Sequence, residues 1–204
     1  LEIIKLLEND DDSIRSAAAD VLGNIKPANP EVLLEIAKLL QHENVKIRKQ
    51  VAYLLRNIKP TDQVVLLEIA ELLQHENADI RADSACLLGN IKPTDQVVLL
   101  EIAKLLQHEN ADIRAKGAEV LKDIKPADPE IYKALVKTLG DDDWNVRFVV
   151  ADVLRNIKPT DEVVLLEIAK LLQHENADIR AEAAGALKEI KPADPEIHKA
   201  LAQA

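Results

Sequence analysis

Residues 62–93 read DQVVLLEIAELLQHENADIRADSACLLGNIKP. Two apolar stretches of helical spacing flank the polar turn QHEN, and the reading of this stretch decides the fold. Asp62 stands where an N-cap belongs, its carboxylate placed to accept from the unpaired amides of a first turn. The spacing predicts a first helix through VVLLEIAELLQ that stops near His75, where the apolar pattern ends. Asn77 is placed to cap a second helix, ADIRADSACLLGNI. Lys92-Pro93 ends it, because the residue before a proline is pushed out of the right-handed α region. Connections of about four residues make the two helices antiparallel neighbours.

The unit recurs. Ile-Lys-Pro begins at Ile25, Ile58, Ile91, Ile124, Ile157 and Ile190, always 33 residues apart. The same step relates Arg15, Arg48, Arg81, Arg114, Arg147 and Arg180. It also relates Ala19, Ala52, Ala85, Ala118, Ala151 and Ala184, and Leu22, Leu55, Leu88, Leu121, Leu154 and Leu187. In Asn29-Pro30, Asp128-Pro129 and Asp194-Pro195 the proline takes the first helical position, where its missing N–H costs nothing. A single hairpin of this kind has two apolar sides, and stacking on neighbours buries the second. Residues 1–204 therefore read as one array stepping by 33 residues, with a partial first helix at the N-terminus and a half repeat at the C-terminus.

Composition narrows the function classes. The 204 residues are 48% apolar but only 2% aromatic, so Leu, Ile, Val and Ala must build the core. A formal charge of −10 argues against nucleic acid and anionic membranes, which need clustered Lys and Arg. No apolar run approaches the roughly 20 residues that span a bilayer. Cys86 is the only cysteine, which excludes an internal disulfide and fits a reducing, cytoplasmic setting. The sequence opens at Leu1 with no signal peptide in view.

The second half of each unit, as in HENADIRAEAAGALKEI from His174 to Ile190, resembles a HEAT repeat. The similarity is greatest to the short bacterial type also found in phycobilisome lyases and in artificial HEAT-like libraries. It rests on a capped turn, Ile/Val-Arg, an Ala three or four positions on, a Leu and a terminal Ile, and it covers essentially the whole chain. The resemblance implies an all-α fold: a right-handed α/α superhelix, or HEAT-like solenoid, of 33-residue helical hairpins whose second helices line a concave surface. It is nearly silent on function. In such repeats an Asp six residues before the Arg commonly builds an Asp–Arg ladder between repeats. Here that place holds Asn9, His42, His75, His108, Asp141 and His174, so only Asp141 offers a rung.

LLQHEN is spelled four times, from Leu39, Leu72, Leu105 and Leu171, and each copy carries a His-Glu dipeptide. Deoxyhypusine hydroxylase, a HEAT-repeat enzyme, binds iron through such dipeptides, but there they follow the Val-Arg-like position on the inner helix. In this chain they precede the Arg by five and six residues, in the turn outside the cap. Turns one repeat apart are separated by about the 8–10 Å of packed helices. One ion needs its donors at about 2.0–2.2 Å. The histidines thus read as polar turn residues, with no metal and no cofactor. Other chemistry is thin. Ser13, Ser16 and Ser84 have no His at a suggestive spacing, and Cys86 lies mid-helix without a base beside it.

Counted from the recurring Arg, the positions one before and three, four, six, seven and ten after are small or apolar in nearly every copy and form the core face. The positions two before and one, two, five, eight and nine after vary and point away from it. The second unit supplies Lys46, Lys49, Gln50, Tyr53 and Arg56 to this outer face, and the third Asp79, Asp83 and Cys86. The fourth supplies Asp112, Lys116 and Glu119; the fifth Asn145, Phe148, Val149 and Asp152, with Trp144 beside its cap; the sixth Asp178 and Glu182. Aromatic side chains among mixed charges are typical of binding hot spots. The expected partner site is Lys46, Lys49, Gln50, Tyr53, Asp83, Cys86, Lys116, Glu119, Trp144, Phe148, Val149 and Asp152, holding a protein or peptide in the concave groove. The first helices are almost copied between units, as a constant scaffold under a changing face would be. End-to-end self-association is also expected, since apolar helix faces lie at both edges. The competing readings are a metal-dependent enzyme of the deoxyhypusine hydroxylase kind and a purely structural spacer.

Overall fold

The computed structural model describes residues 2–203. Each 33-residue unit is a pair of helices: α1 (Glu2–Lys5) with α2 (Asp12–Ile25), α3 (Pro30–Lys38) with α4 (Val45–Ile58), and α5 (Gln63–Glu71) with α6 (Ala78–Ile91). Then come α7 (Gln96–Lys104) with α8 (Ala111–Ile124), α9 (Pro129–Thr138) with α10 (Trp144–Ile157), α11 (Glu162–Lys170) with α12 (Ala177–Ile190), and last α13 (Pro195–Gln203). There is no strand among the described residues. The fold is an all-α solenoid built from helical hairpins. Its contacts group into two compact units, one up to Glu101 and one from Ile102.

The second helix read from the sequence as ADIRADSACLLGNI is α6, residue for residue. The first helices end sooner than the apolar pattern suggests. After Glu71 the chain tightens into a 3₁₀ turn, Leu72–Gln74, and His75 is already extended. The same 3₁₀ turn follows α3, α7 and α11. The caps fall as their chemistry requires. Asp62 accepts from the amides of Val64 and Val65, at 3.0 and 3.2 Å, and Asn77 accepts from that of Asp79 at 2.8 Å.

The seam is aliphatic. The Leu seven residues after the recurring Arg is buried in all six copies, and each such burial contributes about 1.5–3 kcal/mol. In the first unit α4 packs between α2 and α6, while α3 lies along α5. In the second, α10 packs between α8 and α12, while α11 lies between α9 and α13.

The recurring Arg ties each hairpin to its own turn. Arg81 Nη1 donates to the carbonyls of His75 and Glu76, at 2.8 and 2.9 Å. Arg48, Arg114, Arg147 and Arg180 repeat this on the equivalent carbonyls at 2.8–3.0 Å, and Arg15 on that of Asn9. Among the described residues there is one ladder rung. Arg114 forms a bidentate pair with Asp141, Nε to Oδ2 and Nη2 to Oδ1, both at 2.7 Å. That hydrogen-bonded pairing raises the Arg114 pKa above its ordinary value.

The Lys-Pro stop works through an unexpected conformation. Lys26, Lys59, Lys92, Lys125, Lys158 and Lys191 all adopt the left-handed region, with φ between 47° and 57°. The proline expels its predecessor from the right-handed region, as expected. The left-handed well then lets the Lys92 amide keep its bond to the Leu88 carbonyl, at 2.9 Å, while the chain reverses.

Candidate partner-binding face

Every residue of the expected partner site lies at the surface; none is buried. In α4, Lys46 and Gln50 turn back toward α2. Lys46 Nζ pairs with Asp12 Oδ2 at 3.0 Å, and Gln50 Nε2 donates to Ser16 Oγ at 3.3 Å. Lys49 and Tyr53 face the other way, toward α6. There the structure gathers Lys49, Tyr53, Asp83 and Cys86 into one cleft of about 260 Å³, with Ala52, Arg56, Leu87 and Asn90 completing its lining. Tyr53 is 56% exposed, and the Arg56 guanidinium carbon sits 5.1 Å from its ring centre. That distance is within range of a cation–π contact. Asp83 Oδ2 lies 4.0 Å from Arg48 Nε. Asn90 Nδ2 donates to the Cys86 carbonyl at 2.7 Å and approaches its sulfur at 3.5 Å.

The second unit presents a different chemistry. Trp144 and Phe148 are 69% and 53% exposed, four residues apart and so on one side of α10. Val149 beside them is half-buried. Lys116 pairs with Glu119 on its own helix. Asp152 pairs with Lys122 of α8 at 2.5 Å, and that hydrogen bond raises the Lys122 pKa above its ordinary value. Arg155 approaches Glu182 of α12 at 3.7 Å.

Two positions depart from the expected face: Ala115 and Gly89 are buried. Both are too small to reach past the larger side chains around them. The sequence reading left out Leu87 and Asn90. Leu87 carries the signal of a core residue, and it does both jobs, packing inward and flooring the cleft.

The turn histidines have a structural task. Nδ1 of His42, His75, His108 and His174 accepts the amides of Asn44, Asn77, Asn110 and Asn176, at 2.9–3.1 Å. Asp141 Oδ1 does the same for Asp143 at 2.9 Å, and Asn9 Oδ1 for Asp11 at 3.0 Å. These residues hold the cap residue in place so that it can, in turn, hold the helix. Among the described residues no group of three or more His, Cys, Asp or Glu side chains is arranged to hold a metal ion.

The model of the family described as HEAT repeats matches residues 2–89 and 98–187. The chain is a HEAT-repeat protein. No curated protein matches it. Among solved structures, an engineered protein from a structural genomics consortium is 22% identical and superposes with a TM-score of 0.50, over 93% of this chain and 95% of the other. A designed armadillo repeat protein in complex with the peptide (KR)4 is 16% identical, with a TM-score of 0.49 over 93% and 98% of the two chains. The first likeness concerns fold alone. No helix among the described residues of this HEAT-repeat chain is long and apolar enough to cross a membrane.

Proposed function

We propose that this HEAT-repeat chain is a noncatalytic scaffold that binds a protein or peptide segment along the outer face of its second helices. One observation carries the reading: the positions that vary between units lie at the surface in all but two cases, Gly89 and Ala115, while those three and seven residues after the recurring Arg are buried in every copy. A scaffold that must keep its seam and change its guest separates the two sets in this way. The partner residues are those of the expected site: Lys49, Tyr53, Asp83 and Cys86 around one cleft, and Trp144, Phe148 and Val149 around an aromatic patch. The unbroken 33-residue step supports reading residues 1–204 as one array. The task of the turn histidines supports a noncatalytic role, since their Nδ1 lone pairs are already used by backbone amides.

Panning a random linear-peptide display library against the folded chain tests this. Recovered peptides should bind the parent and lose binding to the Y53A/F148A/V149A variant, whose helicity by circular dichroism should match the parent. Peptides that bind both proteins equally would place recognition elsewhere. Stoichiometric iron in the purified protein would favour the enzyme reading instead.

A further inference from the structure

Arg56 differs from every other described arginine. Arg15, Arg48, Arg81, Arg114, Arg147 and Arg180 donate to turn carbonyls, and Arg155 reaches Glu182. Among the described residues Arg56 has no oxygen partner; its guanidinium is held against the Tyr53 ring. The repeat explains why. In the second unit the cations eight residues after the recurring Arg include Lys122, which closes on Asp152, five after the next Arg, and Arg155, which approaches Glu182, two after the next Arg. One cation of the first unit occupies the place of Lys122, and that is Arg56. The residue matching Asp152 is Cys86, which lines the same cleft and is not a carboxylate; the one matching Glu182 is Asp83, which approaches Arg48 rather than Arg56. Lys49, seven residues before Arg56 on the same side of α4, is exposed and forms no ion pair among the described residues. Two uncompensated cations therefore flank Tyr53 in a chain whose formal charge is −10. Below them the cleft is lined by the apolar surface of Ala52 and Leu87.

We infer that the cleft between α4 and α6 selects an acidic side chain of an extended peptide, its carboxylate held by Arg56 and Lys49 and a neighbouring aliphatic residue seated on Ala52 and Leu87. The inference rests on the proposed peptide-binding function and adds the chemistry of the guest. A guanidinium offers a planar fork of N–H donors that matches a carboxylate, and the Tyr53 ring restrains it before the guest arrives. The internal rival is Asp83, across the same cleft and 4.0 Å from Arg48 Nε. The negative charge of the whole chain is screened over about 8 Å at physiological ionic strength, so the local cations dominate at contact.

The test uses fluorescence anisotropy at about 0.15 M ionic strength with short acetylated and amidated peptides. These carry a central Leu-Glu, Leu-Gln or Leu-Lys in a Gly/Ser background, and a further peptide has its only carboxylate at a free C-terminus. The Leu-Glu peptide should bind roughly tenfold more tightly than Leu-Gln, the scale of a charge-assisted hydrogen bond. Leu-Lys should bind most weakly. In Arg56→Gln, checked for unchanged helicity, the Glu and Gln peptides should become equal. Equal binding by the parent, discrimination that survives in R56Q, preference for the free C-terminus, or no binding by any of the peptides would each overturn the inference. The display experiment judges the proposed function separately: peptides recovered there without acid dependence would leave the scaffold reading standing and sink this one.

Discussion

His75 accepts one backbone amide, and that contact is all its place in the fold demands. His75→Ala should cost about 0.5–1.5 kcal/mol, the net worth of one hydrogen bond. His75→Asp should cost less, because Asp141 already does this work in the fifth hairpin. Urea midpoints of the two variants measure the difference. Ser84 presents the opposite case. It is 1% exposed and its hydroxyl has no partner, at a position where other units carry Ala18, Val51, Val150 or Ala183. Ser84→Ala should raise stability by about 1 kcal/mol, since it removes an unsatisfied buried oxygen. A loss of stability on thermal melting would show that the hydroxyl is satisfied in solution. Both residues lie on a regular period in the sequence, but only their neighbours reveal which of them works and which is tolerated.

Between helices, the Arg114–Asp141 pair is the one place among the described residues where a side-chain fork locks adjoining hairpins. The two side chains are 15% and 11% exposed. Asp141→Ala should destabilise by about 3 kcal/mol, because it leaves a mostly buried guanidinium without its charge partner. Asp141→His restores the turn acceptor used in four other units but not the pair, so its loss should fall between parent and Ala. Chemical denaturation of the three proteins orders them. Gly117 marks a second close approach in that hairpin. A Cβ there would lie 2.9 Å from Leu105 Cβ and 3.5 Å from the Ile102 carbonyl oxygen. Gly117→Ala should cost about 1–3 kcal/mol, the usual range for overpacking. The same position carries valine in α4 and α10, so the clash belongs to the seating of α8 and not to the helix itself.

For the molecule as a whole, charge governs solution behaviour more than fold. Thirty-six acidic and 26 basic residues give a formal charge of −10 at pH 7 and an isoelectric point near 5.0. Self-repulsion keeps the chain dispersed at neutral pH and vanishes at the isoelectric point. Turbidity should therefore peak near pH 5.0 and clear on return to pH 7. Persistent turbidity at pH 7 would point to association through apolar surface instead.

The sequence by itself determined the step of 33 residues, the paired helices, their caps and most of the aliphatic seam, although the Ile ten residues after the recurring Arg, expected in the core, is buried in no copy. These follow from local chemistry, from the helical period and from the comparison of one unit with the next. The tertiary structure decided which members of the outer face meet. Lys46 turns back to Asp12 while Lys49 joins Asp83 and Cys86; Lys122 finds Asp152 while Arg56 finds Tyr53. Those meetings depend on the offset between stacked helices and on the rotamer each long side chain adopts. Periodicity says which residues share a face and nothing about which of them touch.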